Sequence, residues 1–183
     1  LEGSKALAKE LMREAGIPTA DLSVLTEVGA ARAHVQSRGA PLVVKADGLA
    51  AGKGVVVAKT VAEALEALEA MMVEKVFGVA GERVVIEDAL QGEEVSFLCL
   101  CEGETVLPLP SAQDHKAVYD GDKGPNTGGM GAYSPAPALP AADYDALAHR
   151  VIRPVLRPLT DRGPPFPGSL YAGLMMAAEG PMG

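Results

Sequence analysis

The sequence predicts an α+β protein built mainly on antiparallel sheet, for three reasons. Helix-like and strand-like segments follow one another without the steady strand–helix–strand rhythm of a parallel sheet. The strand-length apolar runs at 42–45 and 55–57 are joined by a glycine-rich loop, not by a helix. Residues 94–101 and 105–109 flank a Glu-Gly-Glu turn, which reads as a hairpin. With 183 residues, 48% of them hydrophobic, the chain can bury a core as one domain or as two small lobes.

The elements follow in order. A helix is expected over 4–15, with Leu7, Leu11 and Met12 on one face, and Gly16-Ile17-Pro18 stops it. A second helix spans 26–37 and ends at Gly39. After the short buried strand 42–45 come the loop 46–54 and the strand 55–57. Thr60 opens the clearest helix, because Glu63 completes a capping box and Val61, Leu65, Leu68 and Met72 recur at helical spacing. Residues 78–82 form a break and 84–87 another strand. The stretch 111–140 is rich in glycine and proline and lacks apolar periodicity. Loops of that length are uncommon unless they serve a site. A helix from about 141 meets Pro154 and Pro158, which should kink or end it. Residues 170–177 read as a final strand.

The bulk chemistry excludes some partners. A formal net charge of −8 argues against nucleic acid or an anionic membrane, and no apolar run is long enough to span a bilayer. Cys99 and Cys101 sit two apart in an alternating run, so they share a strand face and fit neither a disulfide nor a metal site well. Two buried thiols in a reducing compartment, by default the cytoplasm, is the plain reading. Met71-Met72 and Met175-Met176 read as core packing. No secretory signal is visible, and a chain starting at Leu1 is expected to be a fragment or a processed product.

The most unusual local chemistry is Lys45-Ala46-Asp47-Gly48-Leu49-Ala50-Ala51-Gly52-Lys53-Gly54. Glycines allow close backbone approach, so such a loop can aim several N–H groups at phosphate oxygens. Lys45 ends a strand and Lys53 sits in the loop, so two cations could approach one polyphosphate. A Walker A loop is excluded, because only three residues separate Gly48 from Gly52 and Gly54 follows the lysine. The remaining readings are a β-hairpin lid over phosphates and a surface hairpin with solvated lysines. Farther on, Ile86-Glu87-Asp88-Ala89-Leu90 leaves a strand and passes through Gly92 to Glu93-Glu94. Backbone there could meet an adenine edge and a carboxylate could meet ribose, although a strand ending in acids is commonly just a solvated turn.

Taken together, the lysine-ended strand, glycine lid, capped helix and strand into Glu-x-x-Leu resemble the ATP-grasp superfamily in order and spacing. Longer strings are similar to the phosphoribosylamine–glycine ligase family within it: Leu-Glu-Gly-Ser-Lys at 1–5, Val-Val-Lys-Ala-Asp-Gly-Leu-Ala-Ala-Gly-Lys-Gly at 43–54 and Gln-Asp-His-Lys at 113–116. Gly-Asp-Lys-Gly-Pro-Asn-Thr-Gly-Gly-Met-Gly-Ala-Tyr-Ser-Pro at 121–135 is the most specific of them.

The resemblance implies an ATP-grasp fold cut at both ends. The larger lobe would comprise 1–22 with 93–183, and the smaller lobe 23–92 would carry the lid. It implies ligation of glycine to 5-phosphoribosylamine with ATP, through a glycyl phosphate, in purine biosynthesis. Lys5 and Lys45 would meet the phosphates, and Gly52, Lys53 and Gly54 would cover them, with Lys45 and Lys53 the catalytic cations. Glu87, Ala89 and Leu90 would hold adenine, where the family has a bulkier residue than Ala89, and Glu94 the ribose. Asp114, Lys116, Asn126, Thr127, Gly128 and Gly129 would line the acceptor side, with His115 a hydrogen-bonded loop residue. The expected magnesium or manganese ligands, a Glu and an Asn, would lie beyond Gly183, and Glu179 does not stand in their motif. N- and C-terminal domains of the same enzyme would be the missing partners, and residues 1–183 alone would make no product and bind adenine nucleotide weakly at best. A non-catalytic nucleotide-binding module and another ATP-grasp ligase are the rival readings.

Overall fold

The computed structural model describes residues 1–50, 53–115, 117–121, 123–127, 129–177 and 180–183; within these, the side chains of residues 117, 123, 125 and 126 are not described. Two compact units form, one from Leu1–Glu10 with Ala20–Leu90 and the other from Leu11–Thr19 with Gln91–Gly183.

Helix α1 (Lys5–Glu14), of which Lys5–Glu10 belong to the first unit, begins where Ser4 caps it, its Oγ accepting from the Leu7 N–H at 3.1 Å. Strand β1 (Leu22–Leu25), helix α2 (Val28–Arg38), strands β2 (Leu42–Ala46) and β3 (Val55–Ala58), helix α3 (Val61–Leu68) and strand β4 (Val84–Asp88) follow. The sheet order is β1-β4-β2-β3, and every pair is antiparallel. The capping box at Thr60 forms on one side, because Thr60 Oγ1 accepts from the Glu63 N–H at 3.2 Å. The Glu63 carboxylate reaches back one residue farther than the motif requires, to the Lys59 N–H at 2.6 Å. One sheet face buries Leu42, Val44, Ala46, Val84 and Ile86 against Ala31, Val35, Leu68 and Met71 of the helical layer. The alternation along β2 therefore turns Lys45 to the opposite face, and Glu87 on the neighbouring strand lies diagonally beside it.

In the second unit, β5 (Glu93–Glu102) hairpins to β6 (Thr105–Pro108) through Gly103, whose φ of +57° suits glycine. The 111–140 stretch is not structureless: β7 (Gln113–Asp114) pairs with β10 (Ala132–Tyr133), and β8 (Ala117–Tyr119) with β9 (Lys123–Asn126). A buried serine anchors it. Ser111 Oγ donates to the Leu139 carbonyl at 3.1 Å, accepts from the Ala136 N–H at 3.1 Å and lies 2.9 Å from Tyr144 Oη. Short helix α4 (Tyr144–Leu147) runs on to α5 (Arg153–Arg162), so the prolines, expected to kink or end the helix, do not end it. A widened π turn over Ala148–Ile152 absorbs the mismatch, with the Arg153 N–H bonded to the Ala148 carbonyl, and Pro158 continues inside α5. Long strand β11 (Pro167–Ala177) pairs along the whole of β5 and then turns to β12 (Gly180–Met182).

Val95, Phe97, Cys99 and Cys101 point into the core of this unit with Leu147, Ile152, Leu156 and Leu174. Burial, with the Cys101 sulfur next to it, pushes the Cys99 thiol up to about 11, so it stays an unreactive thiol. Met71 and Met72 are buried as expected, whereas Met175 and Met176 are only partly covered.

Gly92 marks the start of β5. Its φ is +154° and a Cβ there would stand 2.4 Å from the Met176 carbonyl oxygen on β11. Gly92→Ala is expected to destabilise the protein by about 1–3 kcal/mol, since both backbone strain and the β5–β11 spacing must yield. A thermal melt within a degree of wild type would contradict this close approach.

Candidate functional site

The chemistry of the first unit concentrates on the face of β2 and β4 that carries Lys45 and Glu87, together with Lys9 of α1. Glu87, at 4% exposure, is one of the few buried charged residues. Its Oε2 meets Lys45 Nζ at 2.8 Å and Lys9 Nζ at 3.3 Å. Its Oε1 is buried and has no hydrogen-bond partner among the described residues. A buried carboxylate oxygen whose lone pairs accept no hydrogen bond is a costly arrangement that a donor would relieve. Burial, partly offset by Glu87 and reinforced by the charge of Lys45, lowers the Lys9 ammonium below the usual lysine range.

The glycine loop is tied at both ends. Lys5 Nζ donates to the carbonyls of Ala46 at 2.8 Å and Gly48 at 3.0 Å, so it braces the first turn of the loop with its charge. Its ammonium is likewise depressed, first by burial. Asp47, 5% exposed, accepts from the Ala6 N–H at 2.6 Å, from Ser4 Oγ at 3.1 Å and from Arg83 Nε at 2.8 Å, with Arg83 Nη2 also on Oδ2. Gly48 lies against Ala80, where a Cβ would come within 2.8 Å of the alanine methyl. On the return side the Ala46 N–H bonds the Gly54 carbonyl at 2.8 Å, and a Cβ on Gly54 would stand 2.5 Å from the Ala50 Cβ. Asp47 and Gly48 are thus fixed parts of the frame, while Leu49 and Lys53 are exposed.

The expected adenine segment divides in two. β4 is paired on both edges, so the backbone of Glu87 is committed to the ladder and only its side chain remains for a ligand. Ala89 and Leu90 lie past the paired strand. Arg38 fixes that end, with Nε 3.0 Å from Asp88 Oδ1 and Nη2 2.6 Å from Oδ2, and 3.0 Å from Asp21. Beside the loop, an open cleft of about 870 Å³ is lined by Gly3, Glu27, Gly48, Leu49, Ala80 and Arg83, among others.

In the second unit, Glu94 projects from the exposed face of β5, opposite Met175 of β11. Asp114 pairs in β7 with Ala132. His115 exchanges backbone hydrogen bonds with Gly131 and Met130, and its ring lies 5.5 Å from that of Tyr133, which fits a loop-holding role. Thr127 Oγ1 accepts from the Gly129 N–H at 3.1 Å. Gly52, Lys116, Gly128 and Glu179, and the side chain of Asn126, lie outside the described residues.

The sequence reading missed Lys9 and the Asp47–Arg83 pair. Lys9 had one available signal: it stands four residues after Lys5, one helical turn along the same face. The Asp47–Arg83 contact joins residues 36 apart and had no local signal.

The family of the phosphoribosylglycinamide synthetase ATP-grasp (A) domain matches residues 3–182. The chain belongs to this family. The phosphoribosylamine–glycine ligase of Xanthomonas axonopodis pv. citri is 54% identical over 98% of the chain, and that of Streptococcus pneumoniae serotype 4 is 51% identical over 99%. The chain spans 42% and 43% of the lengths of these relatives. The crystal structure of the Thermotoga maritima phosphoribosylamine–glycine ligase matches with a TM-score of 0.88 at 34% identity, covering 99% of this chain and 46% of that one. The biotin carboxylase domain of a Hydrogenobacter thermophilus 2-oxoglutarate carboxylase matches at 0.74 and 19% identity, over 100% of this chain and 38% of that one, which shows a shared ATP-grasp fold.

ATP-grasp enzymes of this family imply a divalent metal. Among the described residues no group of three or more His, Cys, Asp or Glu side chains is disposed to hold one, so no metal-binding role is given to any of them. Among them, too, no helix is long and apolar enough to cross a membrane.

The Asp47 cluster makes stability depend on acid. Burial alone would raise this carboxyl, but the Ala6 N–H, Arg83 and Ser4 hold it below the usual carboxylate range. A depressed folded pKa contributes stability above the unfolded value near 3.9, and that stability is lost as pH falls through the lower folded value. Wild type is therefore expected to lose melting temperature more steeply than Asp47→Asn between about pH 4 and pH 2. Parallel melting curves for the two proteins would rule out this role for Asp47.

Proposed function

We propose that this chain is the nucleotide-binding part of a phosphoribosylamine–glycine ligase, working in the cytoplasm in purine biosynthesis. The observation that carries the reading is the contact of Lys45 with buried, half-satisfied Glu87 beside the glycine loop, in a chain of this family. In the proposed reaction the glycine carboxylate takes the γ-phosphoryl group of ATP, forming glycyl phosphate and releasing ADP. The amine of 5-phosphoribosylamine then attacks the acyl carbon and phosphate leaves, giving glycinamide ribonucleotide.

Phosphoryl transfer to a carboxylate asks chiefly for positioning and for charge to meet charge. Lys45 would meet negative charge building on the transferring phosphate, and Lys53 with Gly52 and Gly54 would cover it. Lys5 would act at the phosphates through the loop it braces. Glu87, Ala89 and Leu90 would hold the adenine, with Glu94 on the ribose. Asp114, Lys116, Asn126, Thr127, Gly128 and Gly129 would bind the acceptor side. Magnesium or manganese, when bound, would neutralise the phosphates and fix them in line.

The first test is calorimetric titration of the purified chain with ADP and ATP, where saturable binding is expected and its absence would sink the reading. In the full-length ligase, Lys45→Met is expected to lower turnover about a hundredfold or more while weakening nucleotide binding less. Equal losses in both would make Lys45 a ground-state anchor instead. Glu94→Ala should raise the Michaelis constant for ATP roughly 10- to 150-fold, the worth of a hydrogen bond to a charged group, with that for glycine little changed. An unaltered ATP dependence, with Glu93→Ala changing it, would move the ribose contact by one residue.

A further inference from the structure

We propose that Arg83 is a positioning residue for the phosphates: acting through Asp47, it fixes the point where β2 opens into the glycine loop, and with it the direction of Lys5. The inference rests on the nucleotide-binding reading above and adds to it a residue outside both the glycine loop and the expected adenine segment.

Three observations lead to it. First, Arg83 grips Asp47 by side chain and backbone together. Its Nε donates to Asp47 Oδ2 at 2.8 Å, with Nη2 on the same oxygen, while its carbonyl accepts from the Asp47 N–H at 2.9 Å. Asp47 is buried, and a carboxylate so placed keeps its position only when its charge is met. The guanidinium meets it, and Ser4 Oγ and the Ala6 N–H complete the set of donors.

Second, Asp47 stands between the two residues that hold Lys5. The carbonyls of Ala46 and Gly48 accept from Lys5 Nζ at 2.8 and 3.0 Å, and the Asp47 carbonyl accepts from the Lys5 N–H at 3.1 Å. An ammonium has three donors. With two directed at these carbonyls, the direction of the third is set. Turning Asp47 would turn both acceptors, and the lysine with them.

Third, Arg83 lies away from the expected base contacts. It precedes β4, and Glu87 stands four residues farther on, roughly 13 Å at about 3.3 Å per residue of strand. The Arg83 side chain is 46% exposed, so shortening it opens solvent and not a cavity in the core. Its loss should therefore be felt at the phosphates and not at the base.

Binding of ADP and of inorganic tripolyphosphate is measured by calorimetry for wild type, Arg83→Met, Arg83→Lys, Asp47→Asn and the double variant Arg83→Met/Asp47→Asn. Thermal melts set a temperature at which each is folded. Once the loop base is freed, binding must order it again, so Arg83→Met is expected to bind both probes at least about tenfold more weakly. Arg83→Lys keeps a charge on Asp47 and should stay within about threefold of wild type. On the Asp47→Asn background, Arg83→Met should cost less than about threefold more, because the carboxylate through which it acts is already gone. Backbone amide exchange at Asp47 and Gly48, both hydrogen-bonded in wild type, should quicken in Arg83→Met.

If wild type binds and a folded Arg83→Met binds equally well, the inference fails while the nucleotide-binding reading stands. Should Arg83→Met not fold, Arg83→Gln takes its place under the same criteria. An undiminished loss on the Asp47→Asn background would make Arg83 a direct ligand contact, and unchanged amide exchange would leave only a loss of charge; either overturns the inference. So would Arg83→Lys as weak as Arg83→Met, a loss confined to ADP, or wild type binding ADP without tripolyphosphate. Wild type binding neither probe would overturn the reading beneath it.

Discussion

The structure turns on one buried carboxylate. Glu87 sits near the end of a strand hydrogen-bonded on both edges, where water is excluded and the backbone is already spoken for. A charge in such a place persists only if it is paired, and the two lysines on its Oε2 do this. The consequence is geometric as well as electrostatic. The first turns of α1, strand β2 and strand β4 must hold a common register for three side chains to meet at one oxygen. The other oxygen of Glu87, Oε1, is buried as well and has no hydrogen-bond partner among the described residues.

A second constraint keeps the glycine loop beside this cluster. The Asp47 carboxylate caps the N-terminal end of α1 through the Ala6 N–H and grips Arg83 at the start of β4, while the Asp47 backbone exchanges hydrogen bonds with Lys5 and Arg83. Helix, loop and strand are thus locked by one residue that carries no obvious motif role. Lys5 completes the frame by holding two loop carbonyls. A loop meant to approach phosphates can be glycine-rich at its tip because its base is this strongly tied. Gly48 and Gly54 serve close packing at that base, where a methyl group would collide with Ala80 or Ala50.

Much of this was legible in the sequence. The helix at 4–15, the strands at 42–45, 55–57 and 84–87 and the hairpin after Glu94 were readable because each carries a local signal: a cap, a stop, an alternation or a turn. Of the two outcomes expected at Pro154 and Pro158, a kink or an end, the helix does not end: a π turn over Ala148–Ile152 interrupts its regular winding and the helix then continues. The long stretch 111–140 was readable only as irregular. Its base is tied by Ser111, whose partners Ala136, Leu139 and Tyr144 lie 25 to 33 residues away.

The sequence by itself determined the fold class, the family and the residue types at the site. Strand alternation, capping pairs and glycine spacing act over a few residues and are written in order along the chain. The tertiary structure alone decided which charges meet. Lys9 joins Glu87 across 78 positions and Asp47 joins Arg83 across 36, and no periodicity encodes either contact. Side-chain charges acquire their meaning from burial and from their neighbours. Only folding puts Glu87 out of reach of water with two lysines against one oxygen.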